Sequence, residues 1–333
     1  MDENNHDDGL DINPVKKPSI EEVISLLQQA EGENERVPAA VYYGLSDIDD
    51  ESMQVFEPVW QALSTDYKRK IVTELAEASE VNFDLNFDSL GYIALDDLDP
   101  GVRHSGIDLF WINESLSLLS RLIDLAENDE STEVRAAAIS DIGRFILLGE
   151  YGDIPEQQAV RAQEVAMGLL NDAAEDVDVR RRALEAISNS SLDFVAEAIQ
   201  EAYDSDEHLM RVSAVFAMGR SYDQQWTETI LREIRSDDPE IRYEAARAAG
   251  ELEIEEAVTI LGQIAVVDER EIKQVAIWSL GEIGGSQAMR LLTALAEDAE
   301  EAADEDLKEA IEDAIGYAGM VGSDINVDFE NSD

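Results

Sequence analysis

The chain contains no cysteine, so disulfide scaffolds, thiolate metal centres and cysteine nucleophiles are all excluded. Histidine is scarce as well. His6, His104 and His208 are the only three in 333 residues, and neither a His-x-x-x-His nor a His-Glu pair occurs. A metal centre needs several convergent donors, and isolated histidines do not supply them. Basic residues are outnumbered: 24 lysines and arginines face 76 aspartates and glutamates, for a formal charge of -52. A phosphate backbone rewards cationic surfaces through counterion release, so this surface repels nucleic acid and anionic membrane alike. No apolar run approaches the length of about eighteen residues that a membrane span requires, and the opening MDENNHDDGLD is acidic where a secretory signal is basic and then apolar. These absences point to a cytoplasmic protein with no nucleic-acid or membrane partner. No Walker loop, dinucleotide-binding fingerprint or Gly-x-Ser-x-Gly elbow is present either. The residues nominate no catalytic group, no cofactor and no metal site.

What is present is an internal repeat. An apolar residue followed by a basic one recurs with the basic residue at Arg103, Arg135, Arg180, Arg211, Arg242, Lys273 and Lys308, with a small residue three positions on in all but the last and glycine eight positions on in five of the seven. Three successive intervals between Arg180 and Lys273 are 31 residues each. A fixed period of this size marks a solenoid, whose units bury their apolar faces only against their neighbours. The interval of 45 between Arg135 and Arg180 predicts an insertion at about 144–162 that loops out of the array.

Each unit reads as two helices. In TETILREIRSDDPEIRYEAARAAGEL, Ile230, Leu231 and Ile234 stripe the first, SDDP breaks it, and Ile241, Ala245, Ala248 and Ala249 share one face of the second. Small residues three positions after the basic one, such as Ala183, Ala214, Ala245 and Ala276, allow close helix approach. The glycines eight positions after it (Gly143, Gly219, Gly250, Gly281, Gly316) suit a left-handed helix exit. The run EDAEEAADEDLKEAIED from Glu297 lacks the glycine and alternating carboxylates of an EF-hand loop and reads as a solvated helical face. Upstream, residues 1–17 read as a disordered acidic leader, and 18–86 as an N-terminal helical cap opened by a Ser19/Glu22 capping box, with Pro58 near the start of a helix. Residues 87–319 form the array, and 320–333 an acidic tail.

The segments DDPEIRYEAARAAGEL, DEREIKQVAIWSLGEIG, STEVRAAAISDIG and DVDVRRRALEAI resemble the HEAT-repeat superfamily, in the short bacterial form found in phycobilin-lyase-type HEAT proteins. The resemblance implies an all-α, right-handed solenoid of helix pairs whose second helices line a concave surface. It also implies a structural ladder of turn acids and second-helix bases, onto which Asp206/Arg211, Asp237/Arg242 and Asp268/Lys273 fall. HEAT-like hydroxylases share the frame but need repeated His-Glu pairs for iron, which this chain does not carry.

Positions one and five after the basic residue share an exposed face of the second helix, since the core takes positions minus one, three, four and seven. In the middle repeats that face carries Val212, Phe216, Tyr243, Arg247, Gln274 and Trp278. Aromatics and arginine dominate interface hot spots, so these six are the candidate partner-binding residues. The expected function is a non-enzymatic protein-binding module or scaffold whose acidic surface attracts a basic partner. Alternatives are a phycobilin-lyase-like, chromophore-handling factor and a chaperone for very basic proteins. The acidity itself fits either recognition or a solubility or high-salt adaptation.

Overall fold

The computed structural model describes residues 17–33, 36–302 and 304–321. The expected leader (1–17) and tail (320–333) fall almost wholly outside the described residues. Every regular element among the described residues is helical, which makes the protein all-α. No described helix is long and apolar enough to cross a membrane. The chain divides into two compact units, residues 1–113 and 114–333.

The first unit contains α1 (Ile20–Glu33), α2 (Ala39–Leu45), α3 (Asp50–Ala62), α4 (Thr65–Val81), α5 (Asp88–Leu95) and α6 (Pro100–Asp108). The capping box forms as expected: Ser19 N–H donates to Glu22, and the Glu22 N–H donates back to Ser19 Oγ. Pro58 is not at a helix start but in the second half of α3, after the N-cap Asp49. Its ring and Gln54, whose carbonyl loses its partner, both face solvent, where water replaces the missing bond. The α5/α6 pair is the first copy of the repeat, yet it shares the core of the cap helices: Leu90, Ala94, Val102 and Leu109 pack with Phe56, Trp60 and Leu75. A buried ion pair between Lys68 and Asp97 at 2.7 Å, and a bidentate one between Arg69 and Asp99, tie α4 to the α5–α6 turn. Asp99 then caps α6 by accepting from Val102 N–H, with Pro100 preset for the first turn.

The second unit is the array: α7 (Leu116–Asn128), α8 (Thr132–Tyr151), α9 (Glu156–Asn171), α10 (Val177–Ile187), α11 (Phe194–Tyr203), α12 (His208–Arg220), α13 (Thr227–Glu233), α14 (Pro239–Glu251), α15 (Val258–Val267), α16 (Arg270–Ile283), α17 (Gly285–Ala302) and α18 (Glu305–Val321). Odd and even members pair across short turns, and the even ones, the second helices, pack against each other in sequence. Their buried positions are those the repeat predicts, as Met210, Ala214, Val215 and Met218 on α12 and Ile241, Ala245, Ala246 and Ala249 on α14 show. The expected loop at 144–162 does not form. Residues 144–151 lengthen α8 to 20 residues, and 156–162 open α9. Only a turn at Gly152, which has a φ of 79°, separates them. The extra residues keep helical periodicity, with Phe145, Ile146 and Ala159 buried, so burial favours helix over loop.

The glycines eight positions after the basic residue have a different role from the one expected. Gly143, Gly219, Gly250 and Gly281 lie inside helices with ordinary φ. A Cβ on them would come within 3.1 Å of Ala186 Cα, 2.8 Å of Ala248 Cα, 2.8 Å of Ser279 Cα and 3.0 Å of Ala314 Cα on the following second helix. They are contact points between repeats. The positive-φ exit lies three residues later, at Tyr222 (φ 51°), Glu253 (φ 51°) and Gly284 (φ 62°).

Candidate functional site

The turn leading into each second helix fixes where its side chains point. Asp238 caps α14 by accepting from the Glu240 and Ile241 N–H groups, with Pro239 in the first turn. His208, at the start of α12, reaches Asp238 at 2.7 Å. Burial alone would raise the Asp238 carboxyl, but the hydrogen bonds from His208 and the two backbone N–H groups bring it below its ordinary value.

The basic residue bends back to its own turn in four of the repeats, at Arg103, Arg135, Arg211 and Arg242. Arg211 donates to the carbonyls of Ser205 and Asp206, and Arg242 to that of Ser236 at 2.7 Å. Arg242 also forms a bidentate pair, at 2.7 and 2.9 Å, with Asp268 in the turn of the next repeat. Arg135 does the same with Glu175. Hydrogen bonding by Arg242 holds the Asp268 carboxyl below its usual range, and Lys273 adds a smaller pull in the same direction. The turn acid therefore meets the base of the preceding repeat, while Asp237 reaches Arg242 only through its field.

Of the six candidate partner-binding residues, four are brought together. Tyr243 and Arg247 on α14, with Gln274 and Trp278 on α16, line an open cleft of about 470 Å³ shared with Glu251, Glu271 and Val275. Trp278 keeps 38% of its surface exposed. Val212 and Phe216, on α12, are half-buried and do not line the cleft. The Phe216 ring is covered instead: the Arg247 guanidinium lies 4.0 Å from its centroid. Arg247 is further held by Glu244 at 2.9 Å, Glu251 at 2.6 Å and the Phe216 carbonyl at 3.3 Å.

The acids of this network were not singled out by the sequence reading. Glu251 follows Arg247 by one helical turn, a pairing that spacing alone allowed. Its Oε1 accepts from Arg247 and Arg220, while Oε2 is buried without a hydrogen-bond partner against Gly219. Burial raises the Glu251 carboxyl in spite of both arginines. Glu244 is raised by burial in the same way, against the pull of Arg247. Among the described residues no group of three or more His, Asp or Glu side chains is placed to hold a metal ion. His104 and His208 lie in different units.

Residues 195–276 and 227–316 match a family model described as HEAT repeats. Deoxyhypusine hydroxylase-B of Oryza sativa subsp. japonica is 31% identical over 102 residues, 30% of this chain and 33% of that protein. Deoxyhypusine hydroxylase of Drosophila melanogaster is 28% identical over 119 residues, 34% of this chain and 39% of that protein. The chain thus spans little more than a third of the length of these curated relatives. The donor set of an iron centre built on repeated His-Glu pairs is not present in this chain. A crystal structure of importin beta aligns over 90% of this chain and 46% of that one, at 12% identity and a TM-score of 0.44. The match to HEAT repeats thus covers residues 195–316 of the array, where the signature residues stack as the period predicts.

Proposed function

We propose that the protein is a non-enzymatic, cytoplasmic binding module or scaffold that engages a basic protein partner through the second-helix face of α14 and α16. The observation that supports this reading most is the cleft itself. Tyr243, Arg247, Gln274 and Trp278 converge there, and Trp278 remains open beside carboxylates. Large aromatics at the centre of a patch, rimmed by polar groups, are the composition of interface hot spots. The excess of negative charge supplies long-range attraction for a cationic partner.

The test compares pull-downs from the native host by the wild type and by a Tyr243→Ala/Trp278→Ala variant. A basic protein retained by the first and lost by the second, with the melting temperature unchanged, is the expected result. Identical retention by both forms removes this face as the binding site.

A further inference from the structure

The repeats stack in one register, and that register shows what is unusual about Trp278. The residue eight positions after the basic one meets the residue six positions after it on the next second helix. This holds for Gly143 with Ala186, Gly219 with Ala248, Gly250 with Ser279, and Gly281 with Ala314. Equivalent positions on neighbouring helices therefore have equivalent neighbours through to α18. Five positions after the basic residue, α12 carries Phe216 and α14 carries Arg247, whose guanidinium covers the Phe216 ring. On α16 the same position is Trp278, and on α18 it is Asp313.

Aspartate is too short to cover an indole and has the wrong sign to face a π surface. The ring that is covered in one repeat interface is therefore open in another. Trp278 is 38% exposed, and Asp313 is exposed as well. Glu282 stands one turn after Trp278 on the same helix, where the Phe216 helix carries Arg220. Asp313 and Glu282 put carboxylates on the two helices beside the indole, and no guanidinium is encoded at the position that Arg247 holds one interface earlier.

We propose that Trp278, with Asp313 and Glu282, is a seat for an arginine side chain of the partner protein, which stacks on the indole as Arg247 stacks on Phe216. The inference rests on the partner-binding reading above and narrows it to one residue type. Arginine is favoured over lysine because its planar guanidinium stacks and forks at once, whereas an ammonium is a compact, strongly hydrated charge.

Three short peptides serve as probes: acetyl-Gly-Arg-Gly-amide and its lysine and citrulline counterparts, titrated while the Trp278 indole N–H signal is followed by NMR. The signal is assigned with Trp278→Phe. The arginine peptide is expected to shift it saturably, the lysine peptide to bind several-fold more weakly and citrulline not at all. Trp278→Leu, followed instead through the arginine Hε signal of the peptide, should weaken arginine binding by about fivefold, and Asp313→Asn, followed at the indole, by about threefold. Asp313→Arg places a cation where Arg247 stands in the neighbouring repeat, so it should shift the Trp278 signal by itself and abolish the response to peptide. Equal responses to arginine and citrulline, or wild-type binding by Asp313→Arg, overturn the inference. A partner that is lost with Tyr243→Ala/Trp278→Ala yet indifferent to Asp313→Arg removes the arginine seat and leaves the binding face standing.

Discussion

Ser279 on α16 lies so close against Gly250 on α14 that a Cβ at position 250 would come within 2.8 Å of the serine Cα. The Ser279 hydroxyl uses this proximity to donate to the Ala246 carbonyl across the helix interface at 2.8 Å. Helix propensity alone would make Gly250→Ala stabilising by about 1 kcal/mol. Overpacking costs about 1 to 3 kcal/mol, so the contact wins and the variant should be destabilised. Gly316 occupies the equivalent position on α18 and has nothing within 4 Å. Gly316→Ala should therefore gain roughly the full propensity term of ~1 kcal/mol. Urea unfolding of the two variants checks the opposite signs, and a gain at both positions would refute the contact role.

Glu253 takes the left-handed conformation that the sequence reading assigned to Gly250. Its N–H donates to the Gly250 carbonyl and that of Ile254 to Ala249, which closes the end of α14 in a Schellman arrangement. A non-glycine residue with positive φ is held there at a cost, and glycine removes it. Glu253→Gly should stabilise the array by up to ~1 kcal/mol, read as a rise in melting temperature. A loss of stability would mean that the glutamate side chain contributes more than its backbone costs.

The repeat frame was legible because period, small residues and core positions all follow from one signature. The role of its glycines was not, since a helix exit and a helix contact both call for a missing Cβ. Sequence spacing separates them only by where the chain turns, and that turn comes at Tyr222 and Glu253, residues that carry no glycine signal. The extra length between Arg135 and Arg180 reads as a loop by interval alone, whereas the helical spacing of the buried Phe145 and Ile146 makes it helix. At the candidate face, Tyr243, Arg247, Gln274 and Trp278 could be placed together from register alone. The covering of Phe216 could not, because it depends on a rotamer of Arg247 reaching back to the previous repeat.

Two sets of carboxylates titrate with opposite consequences. Hydrogen bonding from arginine holds Asp268 and Asp99 below their ordinary values, so their stabilisation is full above the unfolded pKa of about 4 and is lost as pH falls through the lower folded value. Burial raises Glu244, Glu251 and Asp141, whose charged forms cost stability at neutral pH. That cost is relieved as pH falls toward their raised values, and protonation also reduces the self-repulsion of a chain with net charge -52. Stability should rise modestly from pH 7 to about pH 5 and then collapse below about pH 4. Chemical unfolding across this range checks the profile. Glu251→Gln should flatten the rise and Asp268→Asn the fall, and a monotonic decline from pH 7 would show that the buried glutamates are not strained.

Association and dissociation at the second-helix face should respond to different residues. Distributed carboxylates act through space before contact, so the association rate should fall steeply with salt in the wild type and in Tyr243→Ala/Trp278→Ala alike. The aromatics act only after docking. Their removal should shorten the residence time of the partner by at least about tenfold, in keeping with hot-spot truncation. Surface-immobilised partner and a salt series separate the two rates. Because Tyr243 is half-buried and Trp278 exposed, the double variant removes little core, and its melting temperature should stay within a few degrees of wild type. An unchanged dissociation rate would place the contact elsewhere, whereas a salt-insensitive association rate would assign the acidity to solubility rather than to recognition.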